Sequence, residues 1–255
     1  MAAPPDRGRR FARRALVGVG IGTGAALGGA GALSAWRQIA LPRMRAPVAA
    51  TPARPPLVAP LTYAAIGASD AAGVGVADPG RDGWVSIFAR RLPAGTRLVN
   101  LGVPGITLHR ALDTVLPRAI SAQPGLVTVW LVVNDVLAGV SLDSYRADLD
   151  RLLRELRAGT AAQIAVGNLP DPPGTVGGVQ LPQFVRRTIV AQWNTAIAGV
   201  VRTHDAILVD LYQRWPVGQH PEFLGADGLH PTASGYQSLA EAFATTLTAE
   251  RLLLG

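Results

Sequence analysis

Four short stretches of the chain carry side chains whose types and spacing suit chemistry. In "YAAIGASDAAGVG" an apolar run stops at Gly67, presents Ser69 and Asp70, and then dissolves into glycines. A serine at such a turn projects from the top of a sheet, where the N–H groups of the following helix favour negative charge. The same pair also suits an ordinary helix N-cap. In "GADGLHPTASGY" Asp227 stands three residues before His230. That spacing lets the carboxylate fold back onto one imidazole nitrogen and leaves the other to take a proton from a hydroxyl. Taken alone, the segment also reads as a loop aspartate and a histidine preceding a helix. In "NLGVPG" Gly102 lets a backbone N–H approach a ligand closely, or simply turns the chain from strand to helix. In "VVND" the carboxamide of Asn134 ends a strongly apolar run and needs a partner. It either donates to an oxyanion or closes an Asx turn. His109, His204 and His220 have no comparable setting and read as surface or helix residues.

The elements that must position these residues alternate along the chain. Short apolar runs over 61–67, 96–102, 125–133, 162–170 and 206–211 read as strands, the third being the strongest because it is continuous and β-branched. Helices are expected over 83–92, 107–120, 184–201 and from about Ala233 to the C-terminus. Another is expected between the cap Ser141 and the stop Gly159, with leucines at helical spacing. A proline- and glycine-rich loop spans 170–182. This alternation predicts a three-layer α/β/α sandwich around a central five-stranded parallel sheet, flavodoxin-like in layout. Ligands in such folds bind beyond the carboxyl ends of the strands, where all four stretches fall.

The rest of the chain bounds what the domain does. Nearly half the residues are apolar (49%) and only 16% charged, so the chain can bury a core. Cysteine is absent, which excludes thiolate chemistry and disulfides. The formal charge of +7 does not describe the domain, because nine of the 24 arginines precede residue 61 against the single Asp6, and lysine is absent. No basic stripe remains for a phosphate backbone, so nucleic-acid binding is not expected. Residues 1–40 have an arginine-rich start and an uncharged run from Ala15 to Ala35, the layout of an export signal or membrane anchor. "RRALV" fits a loose twin-arginine pattern. Residues 41–60 carry six prolines and read as a semi-rigid spacer, leaving 61–255 as the domain. An extracytoplasmic location follows, secreted or held at the membrane by the leader.

The joint order of the four stretches resembles the SGNH hydrolases, also called the GDSL esterase/lipase family, over nearly the whole domain. The resemblance implies Ser69 as nucleophile, His230 as its base and Asp227 as the orienting acid. It implies Ser69, Gly102 and Asn134 as the oxyanion hole, and no metal or organic cofactor. The expected activity is cleavage of a small-molecule, lipid or glycan carboxylic ester through an acyl-enzyme. Two positions depart from the family's pattern: Ala68 stands in place of an aspartate before the serine, and Val132 in place of a glycine before Val133-Asn134. Neither removes a catalytic group; the first alters the bonding of the turn and the second narrows the space near the oxyanion. Acyl transfer to another acceptor, removal of acetyl groups from a carbohydrate, and a non-catalytic binding module are the other readings. A nucleotide-binding protein lacks the glycine-rich opening after the first strand.

Overall fold

The five runs expected as strands form a single parallel sheet. A computed structural model describes residues 54–171, 175–176, 179–180 and 182–253. The sheet is built from β1 (Thr62–Gly67), β2 (Arg97–Asn100), β3 (Leu126–Trp130), β4 (Gln163–Gly167) and β7 (Ile207–Val209), in the order β2-β1-β3-β4-β7, all parallel. A small antiparallel pair, β5 (Thr175–Val176) and β6 (Val179–Gln180), interrupts the loop after β4. β3 is buried at every position because helices cover both faces of its sheet. Its one polar side chain, Thr128, is satisfied by the buried hydroxyl of Tyr63 on β1 at 2.8 Å.

The connections put helices on both sides. α3 (Trp84–Ala89) packs on the last helix, α10 (Ala233–Ala249), with Trp84 stacked on Phe243 at 4.6 Å and Phe88 edge-on to Tyr63 at 5.3 Å. The second group comprises α4 (Leu108–Thr114), α5 (Leu116–Ser121), α7 (Leu142–Gly159) and α8 (Gln183–Thr203), joined in part by Tyr145 against Trp193 at 4.9 Å. Right-handed crossovers that leave β1 and β3 in opposite directions require this division. They also open a crevice beyond the carboxyl ends of those two adjacent strands, the switch point where such folds bind ligands.

Several boundaries differ from the sequence expectation. The strand expected over 125–133 ends at Trp130, and Val133–Leu137 forms a short helix, α6. Its β-branched run favours a strand locally, but bonds from Asn134 and Asp135 to the loop after β2 hold the helical turn instead. The helix expected over 107–120 breaks at Val115, since Pro117 has no N–H to continue the ladder. Ser141 does cap α7, its Oγ accepting the Ser144 N–H at 3.2 Å. The end of the expected spacer is part of the domain. Leu57 is buried and its N–H donates to the Leu252 carbonyl at 2.9 Å, while Arg54 holds the Asp205 carboxylate at 2.7 Å. The export or anchor segment, residues 1–40, lies outside the described residues. Among the described residues no helix is long and apolar enough to cross a membrane.

Candidate active site

Ser69 owes its position to small residues and one carboxylate. A side chain at Gly67 would sit 2.6 Å from the Ala71 Cβ, so the glycine lets α1 (Ser69–Ala72) fold tightly over the end of β1. Ala68 is the N-cap and offers no capping side chain, so Ser69 is not a cap. Among the described residues its hydroxyl and its N–H make no hydrogen bond to protein. The turn is held by the side chain at position 70 instead. Asp70 accepts the Ala68 N–H at 3.1 Å through one oxygen and the Trp84 indole N–H at 3.1 Å through the other. Burial pushes its carboxyl up to about 6, and these two donors hold it down in part.

The Asp227–His230 segment is a locally closed loop. Asp227 Oδ1 accepts the N–H groups of Leu229 and His230, each at 3.0 Å, and Oδ2 meets His230 Nδ1 at 2.6 Å. The imidazole bond, then these N–H groups, push the Asp227 carboxyl down to about 2. Nε2 has no hydrogen-bond partner among the described residues. Two contacts bring this loop to the serine. The Tyr236 hydroxyl at the start of α10 donates to the Val74 carbonyl at 2.6 Å, just beyond α1. Gly75, at φ +107, passes so close that a Cβ there would lie 2.6 Å from the Pro231 oxygen and 3.3 Å from the His230 Cβ.

Asn134 and Asp135, at the carboxyl end of β3, clamp the loop after β2. The Asn134 amide donates one N–H to the Ile106 carbonyl at 2.9 Å, and the other has no partner among the described residues. Asp135, fully buried, accepts the Leu108 N–H through both oxygens at 3.2 and 3.0 Å. Burial pushes its carboxyl up to about 6. Its native pKa therefore lies above the unfolded value of about 3.9, so ionisation costs stability as pH rises from about 4 to 6, and the cost stays constant above that. We expect wild type to lose roughly 1–2 kcal/mol, about 3–6 °C in Tm, over that window relative to Asp135→Asn. Thermal melts of both proteins at pH 4.5 and 7 check this; parallel shifts would remove Asp135 as the source.

Gly102 serves packing. Its N–H donates to Asn100 Oδ1 at 3.0 Å, and the Asn100 amide in turn reaches the Ala71 carbonyl at 2.6 Å. A Cβ at Gly102 would lie 2.4 Å from the Ala72 nitrogen and 2.7 Å from the Ala71 carbonyl carbon, both backbone atoms of the helix that carries Ser69. Gly102→Ala is therefore expected to lower Tm by several degrees and ester cleavage at least tenfold together. A melt and a rate on the same preparation test it, and a variant with wild-type values of both would disprove the clash. Three residues on, Gly105 has φ +75, and among the described residues its N–H meets no protein acceptor.

Ser69, Asn134 and His230 line one cavity of about 40 Å³ at the switch point, with Trp130 and Val132 in its wall. No hydrogen bond joins Ser69 to His230. Neither Gly102 nor Gly105 lines this cavity, and Asp227 stands behind the imidazole. A wider open groove of about 1160 Å³ runs between α7 and α8 and contains none of these residues. Asp70 and Asp135 went unread in the sequence as supports of the site. The available signal was an acid directly after each candidate, Ser69 and Asn134.

A family model described as the GDSL-like lipase/acylhydrolase family matches residues 65–238, more than half of the chain. Among solved structures, TesA is 25% identical with a TM-score of 0.62, over 74% of this chain and 99% of that one. LAE5, an alpha/beta hydrolase from the metagenome of Lake Arreo, Spain, is 20% identical with a TM-score of 0.61, over 78% and 99%. Axe2, an acetylxylan esterase from Geobacillus stearothermophilus, is 22% identical with a TM-score of 0.60, over 74% and 94%. The last two show the shared fold. No curated protein matches the sequence closely enough to add to these findings.

Proposed function

Because the chain belongs to the GDSL-like lipase/acylhydrolase family, it is a carboxylic ester hydrolase, and we propose that it works through Ser69, His230 and Asp227. Ser69 Oγ attacks the ester carbonyl carbon while His230 Nε2 takes its proton, and Asp227 holds Nδ1–H so that Nε2 is free to do so. Collapse of the tetrahedral adduct breaks the bond to the alcohol oxygen, which leaves with the proton from His230. Water then attacks the acyl-serine, again deprotonated by His230, and the acid and the serine hydroxyl are regenerated.

The oxyanion is held by the Ser69 N–H at the start of α1 and by the unused N–H of Asn134. A third donor is the Gly105 N–H rather than that of Gly102, which already serves Asn100. Gly105 neighbours Ile106, the residue Asn134 grips. Each such donor typically supplies about 2.7–4 kcal/mol at the transition state. Supporting this reading above all is one observation: the serine, the amide and the imidazole share a cavity while a carboxylate binds the imidazole from behind at 2.6 Å. A fluorophosphonate probe tests it. One adduct on the peptide containing Ser69, together with release of free acid from an ester, is the expected result. An intact, folded protein that takes no label would overturn the mechanism and favour a binding module. Acyl groups appearing on an added sugar acceptor instead of as free acid would make the protein a transferase.

A further inference from the structure

We infer that Val132 and Trp130 make the acyl pocket a rigid, short-chain pocket, so that the substrates are acetyl and propionyl esters. This rests on the serine mechanism proposed above and adds the acyl class to it. The centre of a water-sized sphere can move through only about 40 Å³ of this cavity, so it is narrow. A longer acyl chain must then press on a wall or leave the cavity.

What makes the limit firm is that its walls cannot retreat. Trp130 donates its indole N–H to the Asn168 carbonyl at 3.2 Å and packs edge-on to Trp215 at 5.6 Å. Behind it Gly167 is so close that a Cβ would lie 2.9 Å from Trp130 Cδ1, so the indole is already seated against backbone. Val132 is 1% exposed and caps the start of α6, the helix whose Asn134 and Asp135 are tied to the loop after β2. Its branched side chain adds volume where a glycine would leave a gap. Close-packed walls of this kind accept an extra methylene only by shifting fixed groups. A hydrophobic pocket then discriminates by roughly tenfold or more for each methylene that does not fit. The alcohol leaves through the open side, where its size is not limited by these walls.

The test is a series of p-nitrophenyl esters from acetyl to octanoyl, run with wild type, Val132→Ala and Val132→Ile. Wild type is expected to lose at least tenfold in kcat/KM between propionyl and butyryl. Val132→Ala should raise butyryl relative to acetyl cleavage at least tenfold, and Val132→Ile should lower propionyl relative to acetyl. The Ile variant keeps the test decisive should the Ala variant unfold. Wild type that cleaves octanoyl as fast as acetyl ester would overturn the proposal, as if the chain lay outward along the exposed Val103 and Leu137. So would an unchanged length profile in both variants. Either result leaves the serine mechanism standing, because ester cleavage is still observed. Absence of cleavage of every ester, with no fluorophosphonate label, is instead the failure of that mechanism and of the inference built on it.

Discussion

Ser69→Ala is expected to lower kcat/KM for a short-chain ester roughly 10⁶-fold while moving Tm by no more than a degree or two. The two halves of this expectation come from different observations. Ser69 Oγ accepts and donates nothing among the described residues, and the cap of α1 is Ala68, so the hydroxyl contributes no bond to the fold. The turn is held by Asp70 through Ala68 and Trp84, which the substitution leaves in place. Chemically, however, among the described residues no other hydroxyl lines the cavity beside His230. Steady-state rates beside a thermal melt test both halves. A variant with more than about a hundredth of wild-type activity would show that another nucleophile does the work.

The second large effect is expected from Asp227→Asn, a loss of about 10⁴ in kcat with little change in KM. The geometry dictates how the amide must sit. Oδ1 accepts two backbone N–H groups, so the amide oxygen of asparagine takes that place. The NH₂ then falls where Oδ2 stood, against His230 Nδ1. An N–H facing Nδ1 makes that nitrogen the acceptor and leaves the proton on Nε2. The ring is thereby held in the tautomer that cannot take a proton from serine. Rates near neutral pH compared with wild type, with a melt to show the fold retained, measure the effect; a loss below tenfold would mean that Asp227 does not orient the ring.

Asp227 also sets what pH should not do. Its carboxyl is pushed down to about 2, so it stays charged throughout the range in which histidines titrate. The stability that Asp227 adds is present above about pH 4 and is lost as pH falls toward 2. It is small, since the side chain is 52% exposed.

What the chain determined by itself was local. The central strand runs were legible because residues buried on both faces must be continuously apolar. The cap at Ser141 was legible because capping involves residues three apart. The Asp227–His230 bond was legible for the same reason, since a carboxylate reaches only its own loop at that spacing. The tertiary structure decided whatever depends on distant partners. Ser69 and His230 are 161 residues apart, and only the crossover order of the sheet, with Tyr236 bound to Val74, sets them on one cavity. Gly102 matched a sequence pattern, yet its lack of a side chain answers to the backbone of α1. Asp70 and Asp135 showed only as an acid after each candidate, not by what they bind, because the groups they hold, Trp84 and Leu108, lie on other elements. The end of β3 was misread because its β-branched run favours a strand, while bonds to the loop after β2 favour a helix. Periodicity and capping are properties of neighbours along the chain. Cavities and clamps are properties of elements that meet only after the sheet has set their order.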